Sequence, residues 1–301
     1  MKIAYLIICH MDPKFVQRTA KKLSNDKNHV FIHVDKKQDI SEYIFNYKNV
    51  HFCKKRVKNY WGGWNSVIAT INLIKQAMEI EDFDRYVLLQ GQDYPLYSNE
   101  YIEEFFVKHS DIEFCKSYNL THTTNKKDSM KIYGYWFFDK LDSRIMNILR
   151  YPLKLICLIL NRKTIKYRKG YYIENNIKYE IYSGWAQWAL TRECVKYIVD
   201  FYDKHRKFNL YFKYSFPPDE IYFHTIIYNS RFVYKTVDGK SLNNIRNDSL
   251  LNLTYFEYPN EVSVFRNIED YNKLLNSGCL FARKLNSSSK YLLDYIDKNA
   301  K

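Results

Sequence analysis

Asp219 and Glu220 are adjacent carboxylates that follow Phe216-Pro217-Pro218 and precede Ile221-Tyr222-Phe223-His224-Thr225. The two prolines fix a turn. A carboxylate held beside aromatic side chains can have a raised pKa and take a proton as a general base. The plainer alternative places both acids at the start of a helix over about 219–229, where they favour its dipole; composition alone favours that role. Asp35 and Asp93 each follow an apolar run, His29–Val34 and Tyr86–Leu89 respectively. Asp35 could simply end a strand, or it could hold a ribose or a base. Trp61-Gly62-Gly63-Trp64 could be aromatic packing around a tight turn, and its glycines also permit close backbone approach to a ligand beneath an indole. Arg283 and Lys284, in Phe281-Ala282-Arg283-Lys284, could be a solvated pair or could supply cations for a diphosphate.

The chain lacks the two common phosphate-cradling loops, G-x-G-x-x-G and G-x-x-x-x-G-K-[ST], which argues against an ordinary dinucleotide dehydrogenase or a P-loop enzyme. Zinc-finger, homeodomain and RNA-recognition signatures are also missing, so a nucleic-acid partner would rest on charge alone. Lys plus Arg number 47 against 33 Asp plus Glu, a formal charge of +14. That excess suits an anionic partner: nucleic acid, a phosphorylated small molecule or an anionic membrane surface. The six cysteines include no C-x-x-C pair, so neither a zinc site nor a disulfide scaffold is indicated, and a reducing compartment fits.

Positioning such residues takes a scaffold, and 301 residues with 46% hydrophobic content are enough for a substantial core in one domain, 1–301. Ile3–Cys9, His29–Val34, Val50–Phe52 and Tyr86–Leu89 read as strands. Val16, Ala20 and Leu23, then Val67, Ile71, Ile74 and Met78, recur at helical spacing. Strands alternating with helices predict a mostly parallel α/β sheet whose ligands bind beyond the strands' carboxyl ends; Asp35 and Asp93 stand there. Further helices are expected over about 191–205, with Thr191 as N-cap, and from about Ser289. The start of the chain has too few apolar residues before His10 for a signal peptide, and no run reaches the length of a membrane span. The expected location is cytoplasmic, with peripheral contact at the inner face of the membrane. Leu141–Gly170 carries eight basic residues, Arg168 among them, against the single acid Asp142. It reads either as a packed helix with a solvated basic flank or as a dock on an anionic membrane.

Seven motifs occur in order: Ala4-Tyr5-Leu6-Ile7 with His10; His33-Val34-Asp35-Lys36-Lys37; Trp61-Gly62-Gly63-Trp64; Leu88-Leu89-Gln90-Gly91-Gln92-Asp93-Tyr94-Pro95; Ser183-Gly184-Trp185-Ala186-Gln187-Trp188; Pro218-Asp219-Glu220 with Phe223-His224-Thr225; and Leu280-Phe281-Ala282-Arg283-Lys284. Together, over roughly residues 3–286, they resemble the core-2/I-branching enzyme family, which includes β-1,6-N-acetylglucosaminyltransferases and peptide O-xylosyltransferases.

The resemblance implies a GT-A-type nucleotide-sugar fold and inverting transfer from a UDP-sugar co-substrate, with no divalent metal and no other cofactor. Glu220 matches the family's catalytic base, Lys284 a lysine on the donor diphosphate, and Asp35 an aspartate that holds the uridine. His10, Trp61, Gln92 and Asp93 join the expected donor site, and Trp185, Trp188, Asp219 and Lys131 the expected acceptor site. Gln92-Asp93 offers one carboxylate where a metal-dependent enzyme of this fold carries Asp-x-Asp, which is a poor cation site, so Lys and Arg must supply that charge. Thr254 stands where many members have an arginine. The second phosphate cation is therefore expected from Arg266, Arg283 or Arg246, in that order. The expected activity is N-acetylglucosaminyl transfer to a glycan or lipid-linked glycan of a surface polysaccharide, by a bacterial relative and without nucleic acid. Xylosyl or galactosyl transfer on the same scaffold, and a non-catalytic basic module that binds membrane or nucleic acid, are the rival readings.

Overall fold

An unbroken apolar run is stable as a strand only when both of its faces are covered, and Ile3–Cys9 forms such a strand, β1, buried along its whole length. The structure is a computed structural model and describes residues 1–123, 128, 131, 133–136, 152, 155, 156, 159, 168–237, 253–257 and 263–300. One edge of β1 pairs in parallel with β2 (His29–Val34), which carries β3 (Val50–Phe52) on its far side; the other edge pairs in parallel with β4 (Arg85–Gln90). Short strands follow: β5 (Tyr94–Pro95), β6 (Ser117–Asn119), β7 (Tyr171–Glu174), β8 (Ile177–Glu180) and β9 (Tyr182–Gly184). Then β10 (Trp188–Thr191) joins β4 antiparallel, giving the central order β10-β4-β1-β2-β3. A smaller sheet is built from β11 (Thr254–Phe256), β12 (Phe281–Arg283) and β5. The central sheet is thus mostly parallel, as the GT-A-type resemblance implied, with one antiparallel edge.

The helices are α1 (Pro13–Leu23), α2 (Asn65–Ile80), α3 (Asn99–Lys108), α4 (Arg192–Lys204), α5 (Arg206–Lys213), α6 (Tyr222–Tyr228), α7 (Asp270–Asn276) and α8 (Lys290–Asn299). Side chains alternate across a strand, so β1 feeds two cores. Ala4, Leu6 and Ile8 pack with Val67, Ile71 and Ile74 of α2 and with Val195 and Ile198 of α4. Tyr5, Ile7 and Cys9 pack on the other face with Phe15 and Val16 of α1, Phe106 of α3 and Leu292 and Ile296 of α8. Side-chain caps start several helices: Asp12 accepts from Phe15 N–H at 3.2 Å, and Thr191 accepts from Cys194 N–H at 3.3 Å, as its sequence position predicted. No helix among the described residues is long and apolar enough to cross a membrane.

The register sets up the functional edge. Ile8 lies opposite both His33 and Gln90, so β1, β2 and β4 end side by side and deliver His10, Asp35 and Gly91 to one rim. Gly91 is required there, because a Cβ would fall 2.6 Å from Cys9 Cβ. A second constraint lies at the opposite ends of the strands. Arg85 has no exposed surface, and its guanidinium donates to Ile112 O at 2.6 Å, His109 O at 3.0 Å, Ser110 O at 3.1 Å and Ala189 O at 3.3 Å. Its guanidinium carbon lies 5.1 Å from the centre of the Phe106 ring. Burial lowers its pKa to about 10, which still leaves it charged at pH 7.

Arg85→Met keeps the apolar stem but removes the guanidinium from those four carbonyls, leaving Ile112 O and Ser110 O without it while His109 O and Ala189 O keep the N–H groups of Ile112 and Phe114. Urea unfolding should show a loss of about 3 kcal/mol. A loss below about 0.5 kcal/mol, the range of ordinary surface substitutions, would mean that the guanidinium is not what ties the end of α3 to the sheet.

Candidate functional site

A cleft of about 420 Å³ opens at the carboxyl ends of β1 and β2. Four residues expected on the donor side line it: His10, Asp35, Trp61 and Arg283. Asp35 is 2% exposed, and its Oδ1 accepts from Lys37 N–H at 2.9 Å and Asn59 N–H at 3.2 Å. Arg56 fastens the same loop through Val34 O at 2.8 Å and Asp35 O at 2.9 Å. Trp61 is 54% exposed and meets Phe216 edge to face with ring centres 4.9 Å apart. The next residue has φ +69°, and a Cβ on it would lie 2.1 Å from Phe216 Cε2, so only glycine fits at Gly62.

The cleft also holds residues that the motifs did not single out. Lys37 Nζ lies 3.5 Å from Asp35 Oδ2 and 4.3 Å from the centre of the Tyr60 ring. Lys37 was present in the second motif but had no feature to separate it from Lys36. Asn59 Oδ1 is buried without a hydrogen-bond partner, an acceptor in the cleft wall beside Asp35. Nothing local marks it; its place depends on the fold of the loop around Asp35.

Asp93 stands elsewhere than expected. It has no exposed surface; its Oδ1 accepts from Arg283 Nη1 at 2.7 Å, and its Oδ2 accepts from Gln90 N–H at 2.7 Å and Gln187 Nε2 at 3.3 Å. A carboxylate so enclosed cannot touch a ligand, and it acts by aiming Arg283 into the cleft. Gln92 contributes its backbone, accepting from Leu285 N–H at 3.0 Å. Lys284 follows Arg283 in the chain, and its carbonyl accepts from Phe265 N–H at 3.0 Å. Arg266 is exposed, donates to Ser288 Oγ at 3.0 Å and is not among the cleft residues. Among the described residues, the cations lining the cleft are Arg283 and Lys37. Arg246 lies outside the described residues.

A second cavity of about 430 Å³ is lined by Lys116, Ser117, Tyr118, Lys131, Gly184, Trp185 and Glu220. Lys131 Nζ lies 3.3 Å from Glu220 Oε2 and 3.5 Å from Ser183 Oγ. Burial acts to lower the pKa of Lys131, but Glu220 and Tyr118 together outweigh it and the net shift is upward. Trp185 stacks on Phe256 with ring centres 4.6 Å apart. Trp188, expected beside it, is 1% exposed and packs against Phe223 in the core. Its place on the central sheet turns it away from both cavities.

One turn joins the two cavities. Ile221 N–H and Tyr222 N–H donate to Pro218 O at 3.2 and 2.8 Å, and Glu220 O accepts from Gly184 N–H at 2.9 Å. The helix begins only at Tyr222, so neither acid lies in its first turn, and the helix-dipole reading does not describe them. Asp219, expected with the acceptor-site residues, instead lines the first cavity with His10 and Asp35, because the turn sends it to the side opposite Glu220, which lines the second. Burial, then the neighbouring Glu220 charge, pushes the pKa of Asp219 up to about 7. Among the described residues no group of three or more His, Cys, Asp or Glu converges as metal ligands would.

Most of the basic segment Leu141–Gly170 lies outside the described residues. Arg168 is an exception and is not a surface cation. It is 3% exposed, donates to Ser215 Oγ and Tyr211 O at 2.9 Å each, and lies 3.9 Å over the Tyr211 ring.

The family model described as Core-2/I-Branching enzyme matches residues 3–242. Xylosyltransferase 1 of Rattus norvegicus is 25% identical over 256 residues, covering 82% of this chain and 28% of that protein. Xylosyltransferase 2 of Mus musculus is 26% identical over 257 residues, covering 82% and 26%. The chain therefore spans about a quarter of the length of these curated relatives. Among solved structures, the crystal structure of S. aureus TarS 1-349 is 14% identical, covers 46% of this chain and 42% of its own, and has a TM-score of 0.28. That likeness is too slight to add to the fold seen directly.

Asp219 gives a pH signature. Its folded pKa, about 7, exceeds the ordinary aspartate value of about 4. Its contribution to stability is therefore complete below that ordinary value and is lost as pH rises through 7. Asp219→Asn cannot ionise and should gain on the wild type in melting temperature between pH 5 and pH 8. A gap that stays constant across that window would show that the carboxyl titrates normally.

Proposed function

Because this chain belongs to the core-2/I-branching enzyme family of glycosyltransferases, we propose that it moves N-acetylglucosamine from a UDP-sugar to a hydroxyl of a glycan or lipid-linked glycan. The transfer is a single inverting displacement without a metal ion. The observation that carries this reading is the turn whose consecutive carboxylates line two different cavities. A single displacement needs donor and acceptor on opposite sides of the anomeric carbon, with the base on the acceptor side.

In this reading the uridine lies against Asp35 and the unpartnered Asn59 Oδ1. The diphosphate faces Arg283, held by Asp93, with Lys37 as a further cation of the cleft; Lys284, which the family resemblance places on the diphosphate, is not among the residues that line it. The acceptor sugar stacks on Trp185 in the second cavity and presents its hydroxyl to Glu220. Glu220 takes the hydroxyl proton as the oxygen bonds to the anomeric carbon. The bond from that carbon to the diphosphate oxygen breaks, and its electron pair leaves with UDP. Fixed guanidinium and ammonium groups stabilise that developing charge without reorganising. Lys131, 3.3 Å from Glu220, is the counter-ion of the base before the acceptor arrives. A second reading, xylosyl transfer, is favoured by one observation, the names of the relatives. A thermal-shift panel of UDP-sugars separates the two by which sugar stabilises the protein beyond UDP alone.

Glu220→Gln keeps the size and removes the base, so turnover should fall roughly 10²- to 10⁴-fold while UDP affinity stays put. Full turnover in that variant would place the base elsewhere. Arg283→Ala should weaken UDP binding by about 1.5–3 kcal/mol, the range for charge-assisted hydrogen bonds, and transfer should persist in excess chelator. Activity that vanishes with chelator and returns with manganese would refute the metal-free donor site.

A further inference from the structure

The basic segment of the chain carries an apolar face that the transfer chemistry does not use. Pro152, Leu155, Ile156 and Ile159 are helical and exposed. Their spacing, i, i+3, i+4 and i+7, puts all four on one face of that helix. Leu155 is 58% exposed, Ile156 44% and Ile159 46%. A packed helix with a solvated basic flank would bury this stripe; here the stripe itself meets water.

The charge around the stripe is of one sign. No Asp or Glu occurs between Asp142 and Glu174, a stretch with eight basic residues; Arg150 and Lys154 lie at its near end in sequence, and Arg162, Lys163 and Lys166 follow it. An apolar helix face flanked by basic residues fits the boundary of an anionic bilayer, where acyl chains cover the stripe and headgroups meet the cations. A second copy of this chain, with the same formal charge of +14, would set basic flank against basic flank, which opposes self-association through this face.

Both ends of the stretch 137–167 are tied to the chain that leads into the Glu220 turn. Trp136 N–H donates to Tyr214 O at 2.8 Å, and its ring centre lies 4.6 Å from that of Phe216. At the other end Arg168 N–H donates to Tyr133 O at 3.4 Å, while its Nη1 donates to Gly134 O at 3.2 Å and Ser215 Oγ at 2.9 Å. The apolar face therefore belongs to an excursion that leaves and returns beside the second cavity.

We propose that the face of Leu155, Ile156 and Ile159 docks the protein on an anionic lipid bilayer. The stripe rests on the acyl chains and the basic residues around it meet the headgroups. Of the two acceptor classes named above this favours the lipid-linked one, and that preference alone rests on the transfer reading.

The test is co-sedimentation of the full chain with vesicles of phosphatidylcholine alone and of phosphatidylcholine mixed with phosphatidylglycerol. At low salt the mixed vesicles should bind about tenfold tighter or more, and added salt should shrink the difference. Leu155→Ser, Ile156→Ser and Ile159→Ser combined should weaken binding to mixed vesicles roughly 100-fold. Melting temperature should not change, because those side chains already meet water. Equal recovery on the two vesicles, or wild-type binding by the serine variant, overturns the proposal. A wild type that is dimeric without lipid, beside a monomeric serine variant, assigns the face to a second copy and overturns it too. Hydrogen exchange of the wild type needs no variant: mixed vesicles should slow exchange over 152–159, and bound protein with unchanged exchange there overturns the dock. A wild type that binds mixed vesicles but shows no thermal shift with UDP counts against the donor reading and upholds the dock.

Discussion

Two carboxylates one residue apart cannot share one environment cheaply, and the site is organised around separating them. The turn closed on Pro218 O sends Asp219 toward the cleft at the ends of β1 and β2, and Glu220 toward the cavity of Trp185 and Lys131. Glu220 has an ammonium group at 3.3 Å. Asp219 has burial and a like charge, and its pKa rises to about 7. Adjacent acids are thereby given different protonation behaviour by their surroundings, which is how neighbouring carboxyls come to hold different roles.

The other acids near the cleft are engaged in holding the chain. Asp93 is enclosed and aims Arg283, while Asp35 gathers the N–H groups of Lys37 and Asn59. The positive groups are thus fixed before any anionic ligand arrives, and stabilising charge that is already oriented is worth more than charge that must reorganise. The parallel sheet makes this possible, since its in-register ends bring residues from β1, β2 and β4 to one rim.

What could be read from the sequence follows from how local each signal is. β1, β2 and β3 were legible to the residue, β1 most plainly because a strand covered on both faces is an unbroken apolar run, and Thr191 was legible as a cap because its role involves only the next three residues. The start of α6 was not: it lacks a side-chain cap, and Asp219-Glu220 resembles a first turn while lying in a separate one. Trp188 shares a motif with Trp185, but only the place of β10 on the central sheet shows that one indole faces the core and the other a cavity. Asp93 and Lys131 depend on partners 190 and 89 residues away, and no local pattern reports such a pairing.

The central claim is that Glu220 activates the acceptor from the face opposite the departing diphosphate, in one displacement. The most direct measurement is the anomeric configuration of the first product, followed by ¹H NMR from the start of the reaction with an α-linked UDP-sugar. The account predicts a β-glycoside from the earliest time point. An α-glycoside would contradict it, because one in-line displacement by a hydroxyl that Glu220 activates on the face opposite the diphosphate must invert the anomeric centre.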